Sequence, residues 1–350
     1  MIIRLQRKNE HLLIANKSSD GPAESGFSDI SLVHDAVPEL AMDDIDLKAS
    51  FLGKEVKYPV IINAITGGTE LAQKINGCLA SIAHKHGLAM AVGSQTIAIE
   101  KKELKASFTV VREYNPDGVI VANISAGATL ADALEAVNML NADGLQLHLN
   151  VSQELAMREG ERSFTGIIDN VARIVDGSSV PVIAKEVGFG LSREAVKKLY
   201  DAGVRQFDIA GQGGTNFVVI EDQRGGMFGG ELDEWGISTA CSLGEVLSLQ
   251  LPITIIASGG IRKASDVAKA LAMGADLTAI AAPFLKTLLQ DGAEELDRRM
   301  EEFIYRLKAI FLMTGARDCR EIKSKPVIIS GPTAQWLRAR NIDPALWACR

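Results

Sequence analysis

Cysteine is scarce. Four residues, Cys78, Cys241, Cys319 and Cys349, are spread over 350 positions with no Cys-x-x-Cys pair and no Cys/His cluster, so neither a zinc site nor a disulfide framework is expected and the thiols read as buried. No apolar run reaches bilayer length, and residues 1–10 mix Arg4, Arg7, Lys8 and Glu10 without an apolar stretch. That excludes a membrane as partner and makes the cytoplasm the expected location. Positive charge is in deficit, with 37 Lys and Arg against 44 Asp and Glu and a formal net charge of -7. Such a balance repels nucleic acid and anionic lipid, so any anionic ligand needs a local cluster or a metal. Histidine is confined as well, since all five residues lie at or before His148.

What is present is an apolar fraction of 47%, ample for one large barrel or two ordinary domains. Eight short strand candidates lie at 60–64, 89–92, 119–123, 145–149, 182–186, 206–209, 253–258 and 277–281. Between them, 71–86, 131–140, 166–175, 193–201 and 265–273 show a 3.6-type apolar recurrence. Turn signals such as Asn115-Pro116-Asp117-Gly118, Asn141-Ala142-Asp143-Gly144, Asp201-Ala202-Gly203 and Met273-Gly274-Ala275-Asp276 mark the returns to strand. Eight alternations favour an α/β fold of the (β/α)8 TIM barrel type over a doubly wound sheet. The expected organisation is one domain over 1–350: a polar, turn-rich N-terminal extension at 1–58, a barrel core at 59–290, and a C-terminal helix at 294–312 with a capping tail to 350. The glycine-bearing stretch 212–235, after strand six, is long enough to act as a lid.

The stretch Leu145-Gln146-Leu147-His148-Leu149-Asn150 alternates apolar and polar, then runs into Gln153 and Glu154. With the leucines on one face, Gln146, His148 and Asn150 point to the other. Inside a closed barrel those polar groups need partners or a ligand. At strand seven, Ser258-Gly259-Gly260-Ile261-Arg262 places two glycines where strand meets helix, and Ala281-Ala282 ends strand eight with small residues. A single Gly-Gly is explained by turn geometry alone, but both signals at strands seven and eight point to a phosphate-bearing ligand. Other strand ends carry Thr66-Gly67-Gly68, Gly93-Ser94-Gln95, Asn123, Lys185 and Asp208, followed by Gly213-Gly214-Thr215-Asn216. A flavin needs donors for its pyrimidine oxygens and a cation near N1, a role that suits Lys185. The competing reading makes Lys185 one half of a salt bridge with Glu186 or another barrel carboxylate. Arg7, or Lys8, shares one helical face with His11, and the three can grip a diphosphate, although on sequence alone the solvated terminal charge run is the better reading.

Taken in order, Arg7-Lys8-x-x-His11, Thr66-Gly67-Gly68, Gly93-Ser94-Gln95, Gln146-x-His148-x-Asn150-x-x-Gln153-Glu154, Lys185-Glu186-Val187-Gly188-Phe189-Gly190, Gly213-Gly214-Thr215-Asn216-Phe217 and Trp235-Gly236-Ile237-Ser238-Thr239 resemble the type 2 isopentenyl-diphosphate isomerases. The resemblance implies an FMN-dependent enzyme that needs Mg2+ and flavin kept reduced, with NAD(P)H as reductant. It implies interconversion of isopentenyl and dimethylallyl diphosphate in isoprenoid biosynthesis, with no net redox change. It assigns Arg7, Lys8, His11, His148 and Asn150 to the diphosphate, Glu154 to Mg2+, and Gln153 to the reacting carbons. It assigns FMN to Ala64, Ile65, Thr66, Ser94, Asn123, Lys185, Thr215, Gly259, Gly260, Ile261, Ala281 and Ala282. Ile65 and Thr96 stand where many relatives carry Met and Arg; the first is tolerable if backbone makes the contact, and the second removes a cation near the diphosphate. Self-association into a homo-oligomer is the expected assembly.

Protonating an unactivated alkene is difficult, and Gln153 is a weak acid and a weak base. The expectation is that reduced flavin supplies the proton while Gln153 orients. A hydroxy-acid oxidase or glutamate-synthase-like barrel shares the phosphate end, but an oxidase should carry a late His base that this chain lacks. An inosine-monophosphate dehydrogenase-like site wants a Cys after strand six, and Gly213-Gly214-Thr215-Asn216 has none. A nonenzymatic phosphate-ligand sensor would not require a polar set as dense as 148–154.

Overall fold

The computed structural model describes residues 21–350, and Arg7, Lys8 and His11 lie outside them. The strands, in chain order, are β1 (Ile30–Leu32), β2 (Ala49–Phe51), β3 (Lys54–Val56), β4 (Val60–Ile62), β5 (Ala89–Ala91), β6 (Ile120–Ser125), β7 (Gly144–Leu149), β8 (Val182–Glu186), β9 (Gln206–Asp208), β10 (Thr254–Ser258), β11 (Leu277–Ile280) and β12 (Val327–Ile329). Strands β4 to β11 pair in parallel with their sequence neighbours, and β11 pairs with β4 to close an eight-stranded barrel. All eight expected strands are present, so the (β/α)8 architecture follows from the sequence pattern.

Local chemistry sets the helices between strands. Thr69, Thr129 and Ser192 accept from the N–H groups of Ala72, Asp132 and Ala195, capping Glu70–His86, Leu130–Leu140 and Arg193–Asp201. Gly87 and Asn141 end the first two in the left-handed region, which relieves the last carbonyls before each chain turns back to strand.

The side-chain alternation divides the core into layers. Outward residues such as Ile62, Met90, Leu145, Leu147 and Phe207 pack against the helices. Inward residues Ile61, Ala89, Ala91, Val121, Ile183, Ile256, Leu277 and Ala279 form a second apolar cluster with Phe51 and Val56. The β2–β3 hairpin therefore plugs the end of the barrel where the strands begin. Toward the strand ends the inward positions turn polar, with Asn63, Asn123, Gln146, Lys185, Asp208 and Ser258 all buried.

Three features differ from the expectation. The N-terminal extension is not merely turns, because it contributes β1 and the plugging hairpin. Strand β1 pairs antiparallel with β12 of the C-terminal tail, Ile30 opposite Ile329, tying the two flanking segments together. The stretch 212–235 is not only loop, since it holds the helix Phe217–Gln223, whose first turn is satisfied by the Asn216 side chain accepting from Val218 and Val219 N–H. Among the described residues no helix is long and apolar enough to cross a membrane.

Candidate active site

A continuous run of hydrogen bonds crosses the barrel interior below its mouth. Asp208 on β9 accepts from Asn63 Nδ2 at 2.8 Å and from the Ser258 hydroxyl, and Lys185 Nζ stands 3.5 Å from its Oδ2. Gln146 Nε2 donates to Asn63 Oδ1 at 3.1 Å, Asn123 Nδ2 donates to Gln146 Oε1 at 3.0 Å, and His148 Nδ1 lies 2.9 Å from Asn123 Oδ1. The inward face of β7 thus finds partners for Gln146 and His148, as the alternation demanded. Lys185 also donates to the Glu186 backbone oxygen at 2.8 Å. Its ion-pair partner is therefore Asp208, while the Glu186 carboxylate does different work. Oε2 of Glu186 accepts from the N–H groups of Val187, Gly188, Phe189 and Gly190 and so pins the loop after β8. Burial pushes its carboxyl up to about 7, against the opposing pull of the Phe189, Gly188 and Val187 N–H groups and of the Lys185 charge.

Beyond β7 the chain enters a six-residue helix, Val151–Ala156, that gathers the remaining candidates. Asn150 Nδ2 donates to Glu154 Oε1 at 2.9 Å and approaches Gln153 Oε1 at 3.4 Å. Glu154 Oε2 accepts from the Glu161 N–H at 2.9 Å, so each carboxylate oxygen carries one hydrogen bond and keeps further lone pairs. Gln153 Nε2 donates to Glu221 Oε1 at 3.1 Å, and Glu221, 1% exposed, is ion-paired with Arg224. This carboxylate on the helix Phe217–Gln223 orients the Gln153 amide. It escapes a reading of the sequence because 212–235 looks like loop; the signal is one acidic group directly after the apolar run Phe217-Val218-Val219-Ile220. The segment 212–235 packs on the helix Val151–Ala156 at Ala156 and on Phe189 after β8 through Val218, with Phe217, Phe228 and Leu232 against them.

The flavin candidates follow the C-terminal ends of their strands and share one rim: Ala64, Ile65 and Thr66 after β4, Ser94 after β5, Thr215 after β9, Gly259, Gly260 and Ile261 after β10, and Ala281 and Ala282 after β11. Asn123 and Lys185 face inward just below, their side-chain ends committed to the network described above. Thr96 pairs with Ser94 through their hydroxyls at 3.1 Å. The glycines of the phosphate end serve packing as well as any ligand. A Cβ on Gly259 would meet Gly211 O at 2.0 Å, and one on Gly260, whose φ is +70°, would meet Gly213 O and Ser25 Cβ at 2.6 Å. Among the described residues the N–H groups of Gly259, Gly260 and Ile261 have no acceptor. Backbone donors left open at a strand-to-helix turn suit the phosphate of FMN. Among the described residues no cluster of three or more His, Cys, Asp or Glu could hold a metal by itself; the lone pairs left on Glu154 are of the hard-oxygen kind that a Mg2+ sharing ligand oxygens and water would take.

Two kinds of similarity meet on this geometry. The model of the FMN-dependent dehydrogenase family matches residues 121–329. The isopentenyl-diphosphate delta-isomerase of Moorella thermoacetica is 49% identical over 338 residues, covering 97% of each chain. The chain belongs to the isopentenyl-diphosphate delta-isomerase family. Its counterparts from Symbiobacterium thermophilum and Listeria innocua are 44% and 42% identical, the matches covering 98% of this chain and 97% and 96% of theirs. Among solved structures, a putative lactate oxidase from Pediococcus acidilactici superposes with a TM-score of 0.70 at 16% identity, over 94% of both chains. A mandelate oxidase variant follows with 0.65 at 14%, over 92% of both chains. At those identities the oxidases share the fold alone.

Proposed function

We propose that this chain interconverts isopentenyl and dimethylallyl diphosphate by adding a proton to one alkene terminus and removing one from the allylic carbon, in isoprenoid biosynthesis. The observation that carries the reading is the set His148, Asn150, Gln153 and Glu154 at the end of β7, beside Lys185, in a chain so similar over its whole length to isopentenyl-diphosphate delta-isomerases. Glu154 would hold a Mg2+ that neutralises charge on the diphosphate. His148 and Asn150 would contact the diphosphate oxygens, with Arg7, Lys8 and His11 as further cationic partners for them. Gln153, its amide oriented by Glu221, positions the alkene and neither gains nor loses a proton. The Gly259–Ile261 backbone, with Thr215, Ala281 and Ala282, holds the FMN phosphate end, while Ala64, Ile65, Thr66, Ser94 and Asn123 line the ring. Lys185 would supply the positive charge that stabilises the anionic reduced flavin. When bound and reduced, with NAD(P)H as the source of electrons, FMN supplies the acid–base chemistry that these side chains lack. The enzyme works as a homo-oligomer in the cytoplasm.

The oxidase alternative is disfavoured by where the histidines fall. His84 and His86 sit on the outer helix Glu70–His86, where His86 pairs with Asp297, and no histidine follows His148 to serve as a late base. The test is direct: isopentenyl diphosphate is incubated anaerobically with the protein, FMN, NADPH and Mg2+, and the product is identified by NMR. Dimethylallyl diphosphate is the expected product. Its absence, with oxidation of a 2-hydroxy acid in its place, would overturn the reading.

A further inference from the structure

Asn63 is bracketed by two groups of fixed hydrogen-bonding sense. Its Oδ1 accepts from the Ala64 N–H at 2.9 Å, and that group can only donate. Its Nδ2 donates to Asp208 Oδ2 at 2.8 Å, and a carboxylate can only accept. The oxygens of Asp208 are faced by donors throughout, from Ser258, Asn63 and Lys185, so they act as acceptors here. Turning the Asn63 amide over would set oxygen against carboxylate and NH2 against N–H, so one orientation survives. Gln146 must then put Nε2 toward Asn63 Oδ1, which leaves Oε1 for Asn123 Nδ2. Asn123 in turn can offer His148 only its Oδ1. Exposures of 0% for Asp208, 4% for Asn63, 1% for Gln146 and 3% for Asn123 keep water from reversing any link.

We infer that Asp208 is a positioning residue that fixes the His148 proton on Nδ1, through the amides of Asn63, Gln146 and Asn123. The nitrogen that His148 presents to a ligand is consequently Nε2, whether the ring is neutral or charged. The neutral ring is held as the Nδ1–H tautomer, opposite to the one that free histidine favours in water. If His148 contacts a diphosphate oxygen, it does so through an Nε2–H, which requires the imidazolium with Asn123 accepting at the far side. That use of Nε2 rests on the isomerase reading; the tautomer itself does not.

The full chain, loaded with FMN and labelled with 15N-histidine, is read by two-bond 1H–15N correlation where the ring is neutral, the His148 signals being assigned by their loss in His148→Gln. The wild type is expected to show a pyrrole-type Nδ1 and a pyridine-type Nε2. Gln146→Met cuts the relay without touching Asp208, Lys185 or His148, and should move the ring to a mixture or to Nε2–H. Gln146→Glu should keep the wild-type pattern, because a carboxyl oxygen still accepts from Asn123 and, when protonated, its hydroxyl still donates to Asn63. An Nε2–H tautomer in the wild type overturns the inference. So does an unchanged spectrum in Gln146→Met, and so does equal loss of the Nδ1–H form in both variants, which would mark a packing effect. The readout involves no turnover, so failure of the relay and failure of the isomerase reading are seen separately.

Discussion

Replacing Lys185 by Met separates its electrostatic role from its structural one. The side chain is 10% exposed, and its Nζ lies 3.5 Å from the Oδ2 of an Asp208 that is 0% exposed. Removing one partner of a buried pair strands the other charge, at a cost of about 3–5 kcal/mol. Ser258 and Asn63 still donate to Asp208 in the variant, so the expected loss sits at the lower end, about 3 kcal/mol. The double variant Lys185→Met/Asp208→Asn buries no charge at this position and should recover most of that loss. Urea unfolding followed by circular dichroism measures both: the midpoint falls in the single variant, returns toward wild type in the double, and the slope m stays constant. The flavin readout should behave differently, because neither variant keeps the cation proposed to stabilise reduced flavin. Both should need more NADPH or dithionite than the wild type to keep FMN reduced. A destabilisation below about 1 kcal/mol, the scale of a solvated pair, would refute the burial argument. A double variant no more stable than the single would refute the pairing with Asp208. An unchanged reductant requirement in both variants would return Lys185 to a purely structural role.

Gln153→Ala should lower kcat by one to three orders of magnitude while leaving the KM for isopentenyl diphosphate within a few-fold, since an orienting group acts mainly on the reacting carbons (about 10–1,000-fold); unchanged turnover would remove Gln153 from the site. Gly260→Ala should cost FMN retention, because its Cβ would meet Gly213 O and Ser25 Cβ at 2.6 Å from a φ of +70°. Its visible flavin absorbance after desalting is the measurement, and wild-type retention would show that the turn is not needed for the phosphate. Glu186 predicts a pH dependence of stability. With its carboxyl raised from 4.5 to about 7, the folded chain holds a proton that the unfolded chain has released, so stability falls as pH rises between those values and levels off above 7. Glu186→Gln should remove that component of the slope in urea midpoints taken from pH 5 to 8, and identical slopes in variant and wild type would assign the dependence to other groups.

The barrel was legible because each strand carries a short apolar run and each return is marked by a local signal, such as Asn141 before β7 or Gly274 before β11. Strand β12 and its partner β1 were not, since each is three residues long and they meet across some 300 positions of chain. The β2–β3 hairpin hid behind Lys54 and Glu55, charged residues that dilute an apolar signature carried by Phe51 and Val56. In the site, the alternation of β7 announced that Gln146 and His148 share a face. Their partners Asn63 and Asn123, and Asp208 behind Asn63, come from β4, β6 and β9 or their ends, and only closure of the barrel brings them together. The double glycine of the phosphate end was read as a ligand cradle, and the structure adds that Gly259 and Gly260 also let the 211–214 loop and Ser25 pack closely. Glu221 was lost because seven residues bounded by loop give too little periodicity to declare a helix.

The fate of the added proton tests the proposed isomerisation most directly. Isopentenyl diphosphate is converted in deuterated water, anaerobically, with FMN kept reduced by NADPH and with Mg2+ present, and the dimethylallyl diphosphate formed is examined by NMR and mass spectrometry. Protonation at the alkene predicts deuterium on the carbon that was the terminal methylene, with omission of Mg2+ or of the reductant abolishing turnover. Dimethylallyl diphosphate formed without deuterium on that carbon would contradict it.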